Sequence, residues 1–172
     1  DFKPISENDI EQISYYFNLR SNKTCDSVFL DAYLWKDFYN VKFTIWEKKA
    51  LLITMVIDGV DYCALPMCKE EDIKDAFNVL LDYFNNTLNK KLKVYLADEE
   101  GLNALNLDER LFDIKDIDDA KDYLYLAESL KTLSGKKLRK KKNHINAFLK
   151  ENEGNFYYKT LCCQSSDTIL EF

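Results

Sequence analysis

Glycine, proline and histidine are scarce in this chain, at four, two and one in 172 residues. So few glycines leave little material for the loops that cradle nucleotide phosphates, and neither a Walker loop nor a G-x-G-x-x-G run is present. The G-x-S-x-G elbow of serine hydrolases is absent as well. A single histidine cannot complete a familiar zinc set. The five cysteines (Cys25, Cys63, Cys68, Cys162 and Cys163) are odd in number and share no repeated spacing. Reduced, mostly buried thiols are therefore expected, with no metal and no cofactor assigned. No apolar run approaches the roughly 18 residues of a membrane span, and no secretory signal is visible, which points to a soluble, cytoplasmic protein. The first residue is Asp1 rather than methionine, as expected of a chain that is processed, trimmed or renumbered.

What is abundant is apolar and charged. Hydrophobic residues make up 47%, with eleven Tyr and eleven Phe, which excludes disorder and allows one domain with a sizeable core. Net charge is −6, but this mean hides a segregation. Residues 1–130 hold 15 basic against 26 acidic side chains, a balance of −11; residues 131–172 hold 9 against 4, a balance of +5. Six of the seven residues from Lys136 to Lys142 are basic (Lys136, Lys137, Arg139, Lys140, Lys141, Lys142), and Asn143 and His144 follow. An acidic body leads into one concentrated cationic segment.

Taken in order, Asp1–Ile5 reads as a short strand or an extended entry, since Pro4 rules out helix. Ser6 with Asp9 is an acidic variant of the capping box, opening a helix with Ile10, Ile13 and Phe17 on its face and its end near Leu19. After the polar loop at 20–24, Asp26 or Ser27 caps a second helix, apolar nearly all round and so expected to be sandwiched. Its Tyr33, Trp35, Phe38 and Tyr39 are either core or the wall of a ligand site. Alternation at Val41, Phe43 and Ile45, a turn at Glu47–Lys49, a continuous apolar run Leu51–Ile57 and an Asp58-Gly59 hairpin predict a three-strand antiparallel meander ending at Pro66. Lys69–Leu88 is a clear helix with Ile73, Phe77, Leu80 and Phe84 on one face. Leu92, Val94 and Leu96 then suggest a parallel strand reached by a right-handed crossover. A short helix follows Asp98. Strands are expected at Leu111–Ile114 and Tyr123–Leu126, on either side of the acidic turn Asp116–Asp119.

The basic segment reads as one helix, opened by Ser134 or Gly135 and closed by Glu151–Gly154. Leu138, Ile145 and Leu149 form its stripe, with Phe148 on the shoulder, Lys142 inside and Lys141 beside. Lysines among leucines either hold an anion against whatever packs there, or cover apolar surface with their stems while the heads stay wet. A strand at Phe156–Cys162 and a helix start at Asp167 loosely repeat the order of residues 1–17, as if a second copy of the unit begins. The acid groups Glu70-Glu71-Asp72 and Asp98-Glu99-Glu100 fall at helix starts, where dipole stabilisation accounts for them. No Ser or Cys stands near His144 in sequence, so no triad is legible. The residues thus predict an α/β (α+β) fold: a mixed sheet with helices on both faces, followed by a basic connecting helix.

The run Leu130–Phe148, with LSGKKLRKKKNHINAF at its heart, and the softer feature FLDAYLWKDFY (Phe29–Tyr39) resemble a bacterial family similar to the C-terminal, cytosolic domain of phosphatidylglycerol lysyltransferases. The resemblance implies two GNAT-like acyltransferase units in tandem, with aminoacyl-tRNA and lipid as substrates in the lysyltransferases. It would make residues 1–127 the first unit, 128–154 the basic connecting helix and 155–172 the start of a second, truncated unit. The segment LPMCKEED (Leu65–Asp72) departs from that pattern, because it lacks the glycine-rich pyrophosphate loop of ordinary N-acetyltransferases. The expectation is the N-terminal half of an aminoacyl- or acyltransferase, inactive alone, whose basic helix grips a phosphate-bearing partner, tRNA or anionic phospholipid. The alternative is a non-catalytic RNA- or anionic-lipid-binding or scaffold module.

Overall fold

Ala50–Ile57 (β3) is the strand on which the N-terminal part is built, because both of its faces are covered. Ala50 and Leu52 point into one cluster with Ile73, Ala76, Phe77, Leu80 and Phe84. Leu51 and Ile53 point the other way, to Ile5, Ile13, Tyr16, Phe17 and Phe43. A strand buried on both faces has no polar alternation, which is why this run reads as continuously apolar. The computed structural model describes residues 1–19, 28–95, 97–108, 110–162, 165 and 169. The chain divides into two compact units, Asp1–Asp122 and Tyr123–Phe172.

In the first unit, β1 (Lys3–Pro4), β2 (Lys42–Trp46), β3 and β4 (Val60–Cys63) run antiparallel in that order. The Asp58-Gly59 turn takes φ values of 50° and 75°, the left-handed pair that a tight hairpin requires. β4 ends before Pro66, as expected, but pairing with β3 resumes beyond the proline. β5 (Met67–Cys68) pairs with β3 again. From Thr54↔Cys63 to Leu51↔Met67, β3 advances three residues while the returning chain advances four. One residue is therefore bulged out across 64–66, where proline has no N–H to give the ladder. Before the bulge, Cys63 also makes a parallel bridge to Val94, with Cys63 N–H donating to Lys93 O and Tyr95 N–H to Cys63 O, both at 2.9 Å. The five strands all pair antiparallel, so the parallel strand expected at Leu92–Leu96 is reduced to this single bridge among the described residues, and the fold is α+β.

α1 (Ile10–Phe17) covers one face of the sheet and α3 (Ile73–Asp82) the other. All four predicted face residues of the Lys69–Leu88 helix are buried. A 3-10 turn at Glu70–Asp72 opens it, and a π segment at Tyr83–Thr87 closes it. In α1 the buried stripe is Ile13, Tyr16 and Phe17, while Ile10 stays exposed. α4 (Glu99–Leu105) follows Asp98, whose carboxylate accepts the Gly101 N–H at 2.8 Å.

Several expectations are corrected. α2 (Phe29–Leu34) is not sandwiched. Phe29, Ala32 and Tyr33 pack on the α1 cluster, but Leu30, Leu34, Trp35 and Phe38 face outward. Leu111–Ile114, Tyr123–Leu126 and Phe156–Cys162 form no strands. Alternation makes a strand only where a free edge accepts the ladder, and none of these segments pairs with one among the described residues. The caps at Asp26 or Ser27, Leu96 and the helix start at Asp167 lie outside the described residues.

The second unit holds α5 (Ala127–Thr132), a 3-10 turn at Lys136–Leu138, and α6 (Arg139–Glu151). The predicted single basic helix is therefore a 3-10 turn running into an α-helix. No described residue of this unit is in a strand.

Candidate anion-binding site

Leu133 ends α5 in the left-handed region at φ 48°, its N–H donating to Ser129 O. Gly135 follows at φ 89°, a conformation open to glycine at no steric cost. This double reversal restarts the helix at Lys136. α6 then runs about 20 Å at 1.5 Å per residue and stops at Asn152, whose N–H and side-chain amide both donate to Phe148 O.

The start of this helix is unlike the others in the chain. The α3 helix begins among Glu70, Glu71 and Asp72, and α4 among Asp98, Glu99 and Glu100. The Lys136–Glu151 helix has no acid in its first turn; like α3 it has no side-chain cap. It carries six cations where the helix dipole is already positive, an arrangement that disfavours the helix unless an anion is near. Lys136, Lys137, Arg139, Lys140, Lys141 and Lys142 are all exposed. None of them forms an ion pair among the described residues. Lys137, Lys140, Lys141 and His144 follow an i, i+3, i+4, i+7 spacing and so share one side, with Lys136 and Asn143 beside them. Asn143 and His144 are also exposed. Lys142, which falls within the Leu138–Ile145–Leu149 stripe by helical period, is exposed as well.

Leu138 is the anchor of the stripe and is buried, whereas Ile145, Phe148 and Leu149 are about half exposed. Phe148 meets Phe156 edge-on at 5.1 Å. Lys141 has a partner that the sequence did not reveal: its Nζ lies 5.4 Å from the ring centre of Tyr125, a cation–π contact. The predicted strand at Tyr123–Leu126 concealed this role, although the Tyr-x-Tyr alternation already places both rings on one side of an extended segment.

The other candidate residues lie in the first unit. Tyr33 packs face-on against Phe29 at 5.6 Å, and Trp35 and Tyr39 meet at 5.8 Å. Tyr33 and Tyr39 flank the α1 cluster, while Trp35 is half exposed. The Tyr33 hydroxyl donates to Glu7 at 3.5 Å. Recesses occur at Arg110–Ile114 (about 570 Å³) and beside Asp1, Lys3, Gln12 and Phe43–Ile45 (about 150 Å³), and neither is lined by a candidate site residue. Cys63 is buried, and burial pushes its thiol up to about 12, far from nucleophilic at neutral pH. Among the described residues no three His, Cys, Asp or Glu side chains gather as a metal site. No helix among them is long and apolar enough to cross a membrane.

The family profile described as phosphatidylglycerol lysyltransferase, C-terminal, matches residues 17–161. No curated protein matches the chain. Among solved structures, a conserved protein of unknown function from Bacteroides thetaiotaomicron VPI-5482 superposes with a TM-score of 0.74 at 22% identity. That match covers 99% of this chain and 56% of the Bacteroides chain, so this protein spans little more than half the length of its structural relative.

Proposed function

The chain belongs to the family of phosphatidylglycerol lysyltransferase C-terminal domains, and from that premise we propose that its basic helix binds a phosphate-bearing substrate, tRNA or anionic phospholipid. In this reading the chain is the N-terminal half of a cytoplasmic aminoacyl- or acyltransferase. Residues 1–127 are a GNAT-like unit, 128–154 the connecting helix, and 155–172 the opening of a second such unit. The observation that carries the reading is the group of six exposed cations, none in an ion pair among the described residues, in the first turns of the helix. Such a surface gains most from polyanions, because each phosphate contact releases condensed counterions. The greater length of the Bacteroides relative is in keeping with a second unit. Transfer needs donor and acceptor held within reacting distance, so this chain alone binds and does not catalyse.

The second reading is a non-catalytic RNA- or anionic-lipid-binding or scaffold module. It is favoured by the exposure of His144 and the inert burial of Cys63, which leave the described residues without an evident base and nucleophile pair.

Fluorescence anisotropy with labelled tRNA, and flotation with phosphatidylglycerol vesicles, test the proposal. Affinity for at least one of them falls steeply with salt. Replacing Lys137, Lys140 and Lys141 by alanine weakens binding about uniformly across sequences and flattens the salt slope by about one contact per lysine. Binding untouched by this triple substitution places the anion site elsewhere. Aminoacyl transfer measured with the 172-residue chain overturns the incomplete-enzyme reading. Transfer by a longer chain containing a second unit, and none by this one, eliminates the scaffold alternative.

A further inference from the structure

Tyr123 and Tyr125 stand in a segment that joins no sheet, two residues apart, so their rings project to the same side. Their planes are within 16° of parallel and their centres 6.4 Å apart. Tyr123 is 89% exposed and Tyr125 40%, so this is not a core pair. Two near-parallel, exposed rings offer flat aromatic faces on which a planar ring can stack. Lys141 lies over Tyr125, so the pair sits directly beside the cationic helix, and a stacked group would have a phosphate partner within reach.

The geometry points to a platform for single-stranded RNA: Tyr123 and Tyr125 stack an unpaired base while Lys137, Lys140 and Lys141 hold the flanking phosphates. This rests on the anion-binding reading above and narrows its partner. A lipid headgroup offers phosphate but no aromatic plane, and an RNA duplex keeps its bases inside the helix. A single strand presents both chemistries at once.

The whole 172-residue chain is titrated at fixed salt against three probes: a fluorescein-labelled oligoadenylate, an RNA duplex of equal length, and phosphatidylglycerol–phosphatidylcholine vesicles. Tyr123→Ala and Tyr125→Ala each weaken oligoadenylate binding about tenfold or more, the usual effect of losing one aromatic stacking partner. Affinity for duplex and vesicles is unchanged, and Tyr123→Phe and Tyr125→Phe keep wild-type affinity on all three. Far-UV circular dichroism of each variant identifies any that has lost helix, and Tyr123→Leu and Tyr125→Leu, which keep apolar bulk without an aromatic plane, then carry the comparison and are expected to lose oligoadenylate affinity alone. The proposal is overturned if the alanine variants bind oligoadenylate as tightly as wild type, if they lose all three probes equally, or if vesicles are the only probe bound. Loss with the lysine triple variant but not with the tyrosine variants sinks the platform and leaves the anion site standing. No loss with either sinks both.

Discussion

The carboxylate of Asp9 shows how one short-range motif ties a helix start to the sheet. It accepts the Ser6 N–H at 2.9 Å and the Ser6 hydroxyl at 2.7 Å, and Lys3 from β1 reaches it at 2.7 Å. Burial raises its pKa, but these hydrogen bonds and the Lys3 charge outweigh burial and hold it below the ordinary 3.8. A depressed carboxyl pKa stabilises the fold fully above the unfolded value, and the contribution is lost as pH falls through the folded one. Asp9→Asn therefore lowers stability at pH 7 by about 1 kcal/mol, in the range of lost helix caps. The deficit shrinks as pH falls below about 3.8, the ordinary value, where the wild type loses the same charge. Urea denaturation across pH 2.5–7 (a range chosen to span that titration, roughly) checks it. A constant deficit at every pH means the carboxylate charge is not what Asp9 contributes.

At the scale of elements, the bulge at 64–66 and the acidic opening of α3 act together. The bulge follows the one residue that bridges β4 to Val94, and the chain then leads through β5 into Glu70, Glu71 and Asp72. A helix N-terminus is an anion site when its first turn is rich in glycine N–H groups and free of acids; here it is the reverse. Isothermal titration with coenzyme A should show no binding that depends on residues 66–70. Tight binding lost on removing the pyrophosphate, or on mutating that segment, contradicts this. The opposite polarity at the Lys136–Glu151 helix marks the place where the chain does carry its cations.

For the molecule as a whole, the two units differ in how they hold together. The first supplies both hydrophobic clusters from its own residues. The described residues of the second include one buried apolar side chain, Leu138, against exposed Leu124, Leu126, Ile145, Phe148, Leu149 and Leu161. So small a core does not offset chain entropy. A fragment 1–122 should unfold cooperatively in urea, while a fragment 123–172 should show a shallow, non-cooperative loss of helix. A cooperative transition in the shorter fragment would mean that its exposed apolar residues find partners when the first unit is absent.

Local signals in the sequence were sufficient for much of this. The Ser6–Asp9 box, the Asp58-Gly59 hairpin, the Lys69–Leu88 face and the basic run Lys136–Lys142 all depend on residues within a turn or two of one another, and all are legible in the order of residues alone. The basic cluster of the candidate site was legible for the same reason. What needed the tertiary structure were matters of pairing between distant residues. Pro66 interrupts a strand that resumes because β3 offers an edge, whereas Leu111–Ile114 and Phe156–Cys162 have comparable alternation and pair with no strand among the described residues. The α2 helix is apolar all round, but only the side toward α1 is covered. Tyr125 meets Lys141 because a failed strand lies beside a helix sixteen positions away. Alternation and helical period report which side chains share a face; what that face meets is decided by chain segments remote in sequence.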